Sequence, residues 1–294
     1  LDTYFTFNYL PAPRTGLKGV YQIPPGYILT VNRHGVSLRR YWKPMYKTDI
    51  QQRSREQTAR FEELLSSAVK SQLVSDAPLG LFLSGGLDSF AVALAAVSSG
   101  KNPTAFTLGF DNPNFNEAHV ASIYARHLKI MNEVSIFSWT EAEIHETLRA
   151  MGELLADASC FPTYQLSRFT RRKVTVILAG DGGDELLAGY DTYKAGEITP
   201  FVRIIPGVLR RSLRGGTRYL SSDNRRYGLR MVAERLMDAA DEGYGRDHAS
   251  FRRIFTPRMK QRLYNPDFSK TSAQLDPLGV YANLMREVPA ERSY

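Results

Sequence analysis

Cysteine is almost absent from this sequence: Cys160 is the single one among 294 residues. That excludes a disulfide framework and any multi-cysteine metal site. Long apolar runs are also missing. No stretch approaches the roughly 20 residues of a membrane-spanning helix, and no basic-then-apolar leader opens the sequence. The expected setting is cytoplasmic, without a membrane partner. No lysine lies between Leu79 and Gly100, which excludes a Walker loop at the glycine turn found there. The three spaced glycines of a dinucleotide fingerprint are absent too. His34, His119, His127, His145 and His248 show no metal-ligand spacing and are assigned to surface or helix faces. Acids are outnumbered by bases, 30 to 38, for a formal net charge of +8. Such a charge suits nucleic acid, a membrane surface or an anionic substrate. Much of it lies at Arg203, Arg210, Arg211, Arg214, Arg218, Arg225, Arg226 and Arg230, in a segment broken by Pro206, Gly215 and Gly216. We read that segment as a solvated, mostly helical surface. It lacks the aromatic stacking pattern of a nucleic-acid module, so no nucleic-acid partner is expected.

What is present is ordinary globular composition, 43% hydrophobic and 23% charged, with one unusual string. Ser84-Gly85-Gly86-Leu87-Asp88-Ser89 follows the apolar run Leu79–Leu83 and precedes a helix-like run from Phe90 to Val97. A strand emptying through glycines into a helix N-terminus is an anion site, because the backbone can approach, free N–H groups point outward and the helix dipole favours negative charge. The hydroxyls of Ser84 and Ser89 add hydrogen bonds. Asp88 would repel bare phosphate, so its presence calls for a divalent cation between them. The string reads as a site for Mg-pyrophosphate.

The remaining text alternates between strand and helix. Residues 1 to about 46 are rich in Pro, Gly and Tyr and read as strand-like, with Tyr27 to Val31 and Ser37 to Trp42 flanking a hairpin turn at Asn32-Arg33-His34-Gly35. From Ser54 a helix is expected, with Phe61, Leu64, Leu65, Ala68, Val69 and Leu73 on its apolar face. Strands are expected at Leu79 to Leu83, Thr104 to Phe110, Glu133 to Phe137 and Val174 to Ala179. Helices fall between them at Asp88 to Ser98, Glu117 to Leu128, Glu141 to Met151 and from Pro162 to Arg171. Ala118, Ala121 and Ala125 form the packing face of the second of these. This is the α/β signature of a parallel twisted sheet flanked by helices. Beyond Pro200 the text is helical and irregular, with short helices at Met231 to Ala240, His248 to Phe255 and Pro257 to Leu263. Trp42 and Trp139 read as core or interdomain anchors.

The strand ending at Ala179 opens into a second glycine turn, Gly180-Asp181-Gly182-Gly183-Asp184-Glu185. In open α/β sheets the carboxyl ends of strands are where ligands bind, so both turns are expected to face one crevice. Three carboxylates in five residues beside a phosphate loop repel one another without a cation. Asp184 is the natural partner of Asp88 around Mg²⁺. Asp181, set between glycines, is placed to reach the reacting centre as a proton acceptor or orienting group.

The two glycine strings in this order resemble the synthetase domain of glutamine-hydrolysing asparagine synthetases, a branch of the pyrophosphate-loop ATPases. Other stretches are similar as well: Lys18-Gly19-Val20 with Pro24-Pro25-Gly26-Tyr27 and Arg40-Tyr41-Trp42, Thr107-Leu108-Gly109-Phe110, Asn116-Glu117-Ala118, Ala156-Asp157, and Phe161-Pro162-Thr163-Tyr164 through Ser167-Arg168. The resemblance implies that residues 1–46 are the end of a preceding glutaminase-like β domain with its linker, and that 47–294 is the synthetase domain, cut short at its C-terminus. It implies ATP and Mg²⁺ as cofactors, with aspartate adenylated and then attacked by ammonia from a glutaminase domain, yielding asparagine, AMP and pyrophosphate. Carried over by position, Phe82, Leu108, Ala179 and Gly180 face adenosine. Ser84, Gly85, Gly86, Asp88 and Ser89 form the pyrophosphate loop, Asp88 and Asp184 are the metal-side acids, and Asp181 is the catalytic acid. A homodimer of the full-length protein is a candidate assembly.

Departures from the family pattern touch the substrate side. Phe90 stands where many relatives have a second loop serine, and Ala179 where a serine is common. Gly152-Glu153-Leu154 replaces an Asp-Glu-Pro, and Asn132-Glu133 occupies the place of a histidine pair. ATP binding is still expected with these changes, whereas another carboxylate, such as a sugar acid, becomes an alternative to aspartate. Cys160 lies inside the synthetase domain, so it is expected to be packing rather than the nucleophile of a glutaminase. A nucleotide-binding fragment without turnover is the non-enzymatic alternative.

Overall fold

The computed structural model describes residues 1–45, 54–217, 228–243 and 245–286. In chain order its elements begin with α1 (Asp2–Phe7), β1 (Tyr27–Asn32), β2 (Gly35–Arg40) and α2 (Ser54–Gln72). Then come β3 (Leu79–Phe82), α3 (Leu87–Ser98), β4 (Thr104–Gly109), α4 (Ala118–Leu128), β5 (Asn132–Ile136), α5 (Glu141–Met151), α6 (Cys160–Thr170), β6 (Val176–Leu178) and α7 (Gly183–Leu187). The rest is helical: α8 (Asp191–Ile204), α9 (Gly207–Gly216), α10 (Leu229–Glu242), α11 (Asp247–Phe251), α12 (Pro257–Leu263), α13 (Pro266–Ser272) and α14 (Gly279–Arg286). The described residues divide into two compact units. One lies within Asp49–Gly152 and Asp157–Gly189, the other within Leu1–Thr48, Glu153–Ala156 and Tyr190–Tyr294. No helix among the described residues is long and apolar enough to cross a membrane.

The first unit is the expected parallel α/β layer. Its four strands lie in the order β5-β4-β3-β6, and every pairing is parallel. The chain runs outward from β3 through β4 to β5, then returns by α5 and α6 to place β6 on the other side of β3. The strand order therefore reverses between β3 and β6, and such a switch point opens a crevice at the strands' carboxyl ends. Leu81 and Phe106 are the largest fully buried side chains of the sheet, and Ala93, Ala96, Ala121 and Ala125 let the flanking helices approach closely. Burying one leucine of this kind is worth about 1.5–3 kcal/mol.

The alanine face expected on α4 is the buried one, and α5 starts on a capping box in which Thr140 and Glu143 satisfy each other's backbone N–H. Other expectations are corrected. The strand foreseen over Val174 to Ala179 is only Val176–Leu178: β6 sits on the sheet edge and, among the described residues, pairs with β3 alone. Of the face expected on α2, Val69 and, just past the helix, Leu73 are buried, while Phe61 and Leu64 are exposed; the helix meets the core toward its C-terminal end. Trp139 is 61% exposed and stacks on Phe137 rather than anchoring a core. Cys160 is buried, and burial raises its thiol pKa, as packing requires.

In the second unit β1 and β2 form the expected antiparallel hairpin, with a turn at Arg33 and His34. Trp42 is 59% exposed there. The strand-like text at the start is instead the helix α1. Tertiary partners override its β propensity: Asp2 accepts from Lys260 Nζ at 2.7 Å and from Tyr264 Oη at 2.9 Å, and Thr6 Oγ1 accepts from the same ammonium at 2.6 Å. Phe7 packs with Ala249, Leu278 and Tyr281. The arginine segment is not simply a solvated surface. Arg203 pairs with Asp247, Arg214 with Asp238 and Asp241, and Arg210 is buried against Asp241 and the carbonyls of Arg203 and Ile205. Arg218, Arg225 and Arg226 lie outside the described residues.

Candidate active site

The candidate site is built from the two turns that leave the neighbouring strands β3 and β6. At the end of β3, Leu83 stays in register by donating its N–H to the Phe106 carbonyl at 3.0 Å, and its own carbonyl accepts from Thr107 Oγ1 at 2.7 Å. The chain then folds into a compact hydroxyl-braced turn. Ser89 Oγ accepts from Ser84 N–H at 3.1 Å and lies 3.0 Å from Ser84 Oγ; Ser84 Oγ in turn accepts from Gly86 N–H at 3.1 Å. Gly86 is the extended N-cap of α3 and has no side chain to cap it. The first-turn N–H groups of α3 thus meet no capping oxygen of their own, which is the arrangement that attracts an oxyanion. Ser89 is buried while Ser84 and Leu87 face out.

The second turn lies against the first. A Cβ on Gly180 would come within 2.7 Å of the Ser89 backbone nitrogen, and one on Gly183 within 2.5 Å of the Asp88 carboxyl carbon. Neither distance is open to a larger residue, so both glycines are demanded by close approach. Asp88 is half-buried with its carboxylate on the Gly183 backbone, and Asp184 is half-buried one residue further on. Gly189 closes the second turn by donating to the Asp184 carbonyl at 2.9 Å. Of the expected site residues, the structure therefore brings together Ser84, Gly86, Asp88, Ser89, Gly180 and the Gly183–Asp184 corner. Phe82 and Leu108 are half-buried near the carboxyl ends of adjacent strands, and Ala179 is half-buried at the foot of the second turn. Asp181 is exposed at the tip of that turn, and no hydrogen bond among the described residues ties it to the first.

One contact escaped the sequence reading. Glu117 Oε2 accepts the Gly85 N–H at 3.1 Å, and Tyr124 Oη approaches the Gly85 carbonyl at 3.4 Å. Glu117 is the N-cap residue of α4, yet its side chain does not cap that helix. A glutamate where Ser, Thr, Asp or Asn is preferred is the signal that could have marked it.

No group of three or more His, Cys, Asp or Glu among the described residues is arranged to hold a metal by itself. Mg²⁺ is commonly held by one or two carboxylates together with substrate phosphates, and the half-buried pair Asp88 and Asp184 fits that mode.

Comparison with known proteins agrees with this geometry. The family model described as asparagine synthase matches residues 60–275. The glutamine-hydrolysing asparagine synthetase 1 of Bacillus subtilis is 30% identical over 212 residues, 71% of this chain and 33% of its own length. A putative glutamine-hydrolysing asparagine synthetase of Methanocaldococcus jannaschii is 30% identical over 217 residues, 71% of this chain and 42% of its own. The amidase chyE of Penicillium rubens is 29% identical over 214 residues, 62% of this chain and 30% of its own. An NMN synthetase structure from Francisella tularensis covers 43% of this chain and 54% of its own at 18% identity and a TM-score of 0.28, too slight a likeness to bear on fold or function. The chain spans about a third of the Bacillus relative's length. Matched over most of its residues and carrying both glycine turns in contact with each other, this chain belongs to the asparagine synthase family.

Proposed function

We propose that the crevice between β3 and β6 is the ATP site of an amide ligase that cleaves ATP between its α and β phosphates. The observation that carries this reading is the contact between turns almost a hundred residues apart: Gly180 and Gly183 seat the second turn directly on Asp88 and Ser89. That contact supports a site in which phosphate N–H donors, a cation-binding carboxylate pair and the exposed Asp181 serve one reaction at the sheet's switch point. Ser84, Gly85, Gly86, Asp88 and Ser89 form the turn at the pyrophosphate end, and the uncapped first-turn N–H groups of α3 face the phosphates. Phe82, Leu108, Ala179 and Gly180 border the adenosine. Asp88 and Asp184 would hold Mg²⁺, which would supply charge neutralisation at the phosphates.

Family membership supports the following reaction. An oxygen of the substrate carboxylate attacks the α-phosphorus, the bond to the β-phosphate oxygen breaks, and pyrophosphate leaves. Ammonia then attacks the activated carbonyl carbon, loses a proton and displaces AMP. Positioning and electrostatic stabilisation by loop N–H groups are the protein's main contribution. Asp181, exposed beside the reacting end, is the proton acceptor. Family membership favours aspartate as the carboxylate and ammonia released by a glutaminase domain as the nitrogen source, in a cytoplasmic setting. The 29% identity to an amidase supports a second reading, the same activation applied to another carboxylate.

Isotope exchange between pyrophosphate and ATP tests this. Exchange that depends on aspartate is the expected result. Exchange with other carboxylates only would establish the second reading. Asp88→Asn is expected to abolish Mg-ATP binding by calorimetry without altering the circular dichroism spectrum, and an unchanged titration would remove Asp88 from the site.

A further inference from the structure

We propose that Glu117 is a positioning residue for the first glycine turn, orienting the Gly85 peptide so that the remaining N–H groups face the pyrophosphate. The proposal rests on reading that turn as the pyrophosphate site. Its grounds are geometric. Gly85 is gripped at both ends from α4, its N–H by Glu117 Oε2 at 3.1 Å and its carbonyl by Tyr124 Oη at 3.4 Å. A Cβ on Gly85 would lie 3.0 Å from the Glu117 Cβ and 3.3 Å from the Val120 Cβ, so the peptide lies flat on the N-terminal turn of α4. Its N–H is committed to a carboxylate and points toward that helix. The donors left for an anion are those of the uncapped first turn of α3, after Gly86.

Glu117 gives up its own helix to make this contact. The α4 N-terminus is served instead by Asn116, whose Oδ1 accepts from Ala118 N–H at 3.1 Å. The phenol of Tyr124 continues the same brace: its ring packs on Phe90 with centroids 4.5 Å apart, and Phe90 belongs to the α3 turn that starts at the glycines. Two adjacent helices, α3 and α4, therefore hold the glycine turn as a preformed cradle. A two-glycine loop without such a brace would lose conformational entropy on closing around its ligand.

The test separates the pyrophosphate end of the ligand from the nucleoside end. Mg-ATP, Mg-pyrophosphate and AMP are titrated calorimetrically into the wild-type chain and into Glu117→Ala, Glu117→Gln and Tyr124→Phe. Glu117→Ala is expected to weaken Mg-ATP and Mg-pyrophosphate about tenfold, the scale of one exposed hydrogen bond to a charged group, and to leave AMP unchanged. Glu117→Gln, which keeps an acceptor, restores most of that loss, and Tyr124→Phe loses about twofold because its bond is long. Equal binding by Glu117→Ala and wild type overturns the proposal. Tighter binding also overturns it, since Glu117 would then be a placeholder competing with the phosphate. If Glu117→Ala does not fold, Glu117→Asp, with its carboxylate drawn back by one methylene, decides between the same outcomes. Absence of Mg-ATP binding by the wild type refutes the underlying reading of the site instead.

Discussion

The two compact units are held together by different physics. The sheet unit buries a continuous apolar cluster, from Val69 and Leu73 through Leu81, Leu83, Ala93 and Ala96 to Ala121, Ala125 and Leu178. Its ion pairs, such as Arg60 with Glu63 and Arg168 with Glu146, are exposed. Among the described residues, the apolar cluster of the second unit is small, formed by Phe7, Ala249 and Leu278. Its helices are joined by ion pairs instead: Lys260 with Asp2 is buried, Arg253 with Glu242 and Arg210 with Asp241 are partly buried, and Arg246 with Asp276 is more exposed. A cavity of about 390 Å³ in this unit is lined by several of these groups, among them Asp2, Arg246, Arg253, Lys260 and Asp276. Apolar cores tolerate changes of salt and pH, whereas paired charges in partial burial depend on every partner being present.

The comparison breaks most visibly at Lys260. Its side chain is 11% exposed and that of Asp2 6%, and burial pulls its ammonium pKa down against the opposing pull of Asp2. Lys260→Ala leaves the Asp2 carboxylate buried without its cation and is expected to cost about 3–5 kcal/mol in urea unfolding. The double change Asp2→Leu with Lys260→Met should recover most of it. A single-variant loss below about 1 kcal/mol would mean that this pair behaves like a surface one. In the sheet unit the corresponding change is Leu81→Ala, expected to cost about 2–5 kcal/mol and to show the same deficit at low and high salt. A deficit that shrinks with salt would contradict an apolar core.

Acid sharpens the contrast further. Burial, and next the nearby Arg252, hold the His248 pKa below its ordinary value of 6.5, with Asp247 pulling weakly the other way. Between the two values the unfolded chain binds more protons than the folded one, so stability falls as pH drops from about 6.5 toward the lower folded value. His248→Gln should flatten that part of the pH–stability curve, and an unaltered slope would acquit the histidine. Asp276 has the separate lower window: its hydrogen bonds from Arg246 depress its pKa below 3.8, so its contribution persists to that pH and is lost beneath it. The smallest effect belongs to the exposed pair on α2. Arg60→Ala should change stability by less than about 0.5 kcal/mol, measured in the same urea titrations.

These two kinds of cohesion explain what could be read from the residues alone. Helical and alternating periods report apolar faces, so the strands and helices around Leu81, Ala121 and Met151 were legible to within a residue or two. Periodicity reports nothing about which arginine will meet which aspartate across a bundle. Arg210 and Asp241, or Asp2 and Lys260, are distant in sequence and unremarkable as text, so the part of the second unit beyond Pro200 was foreseen only as short irregular helices. The same limit turned α1 into an expected strand. Its β-like composition lost to a carboxylate and a hydroxyl held by one lysine.

The site divides along the same line. The residue types of the two glycine turns are set by local demands, a backbone close to phosphate and a carboxylate close to a cation, and local demands are written in adjacent residues. The sequence by itself therefore determined the parallel α/β class and nominated Ser84 to Ser89 and Gly180 to Glu185. Only the tertiary structure decided that β6 lies beside β3, so that Gly183 rests on Asp88, and that Glu117 turns away from its own helix to hold Gly85. Which strands become neighbours, and which side chain reaches a given peptide, depends on closing loops of tens of residues around a shared core. No period or motif along the chain carries that information.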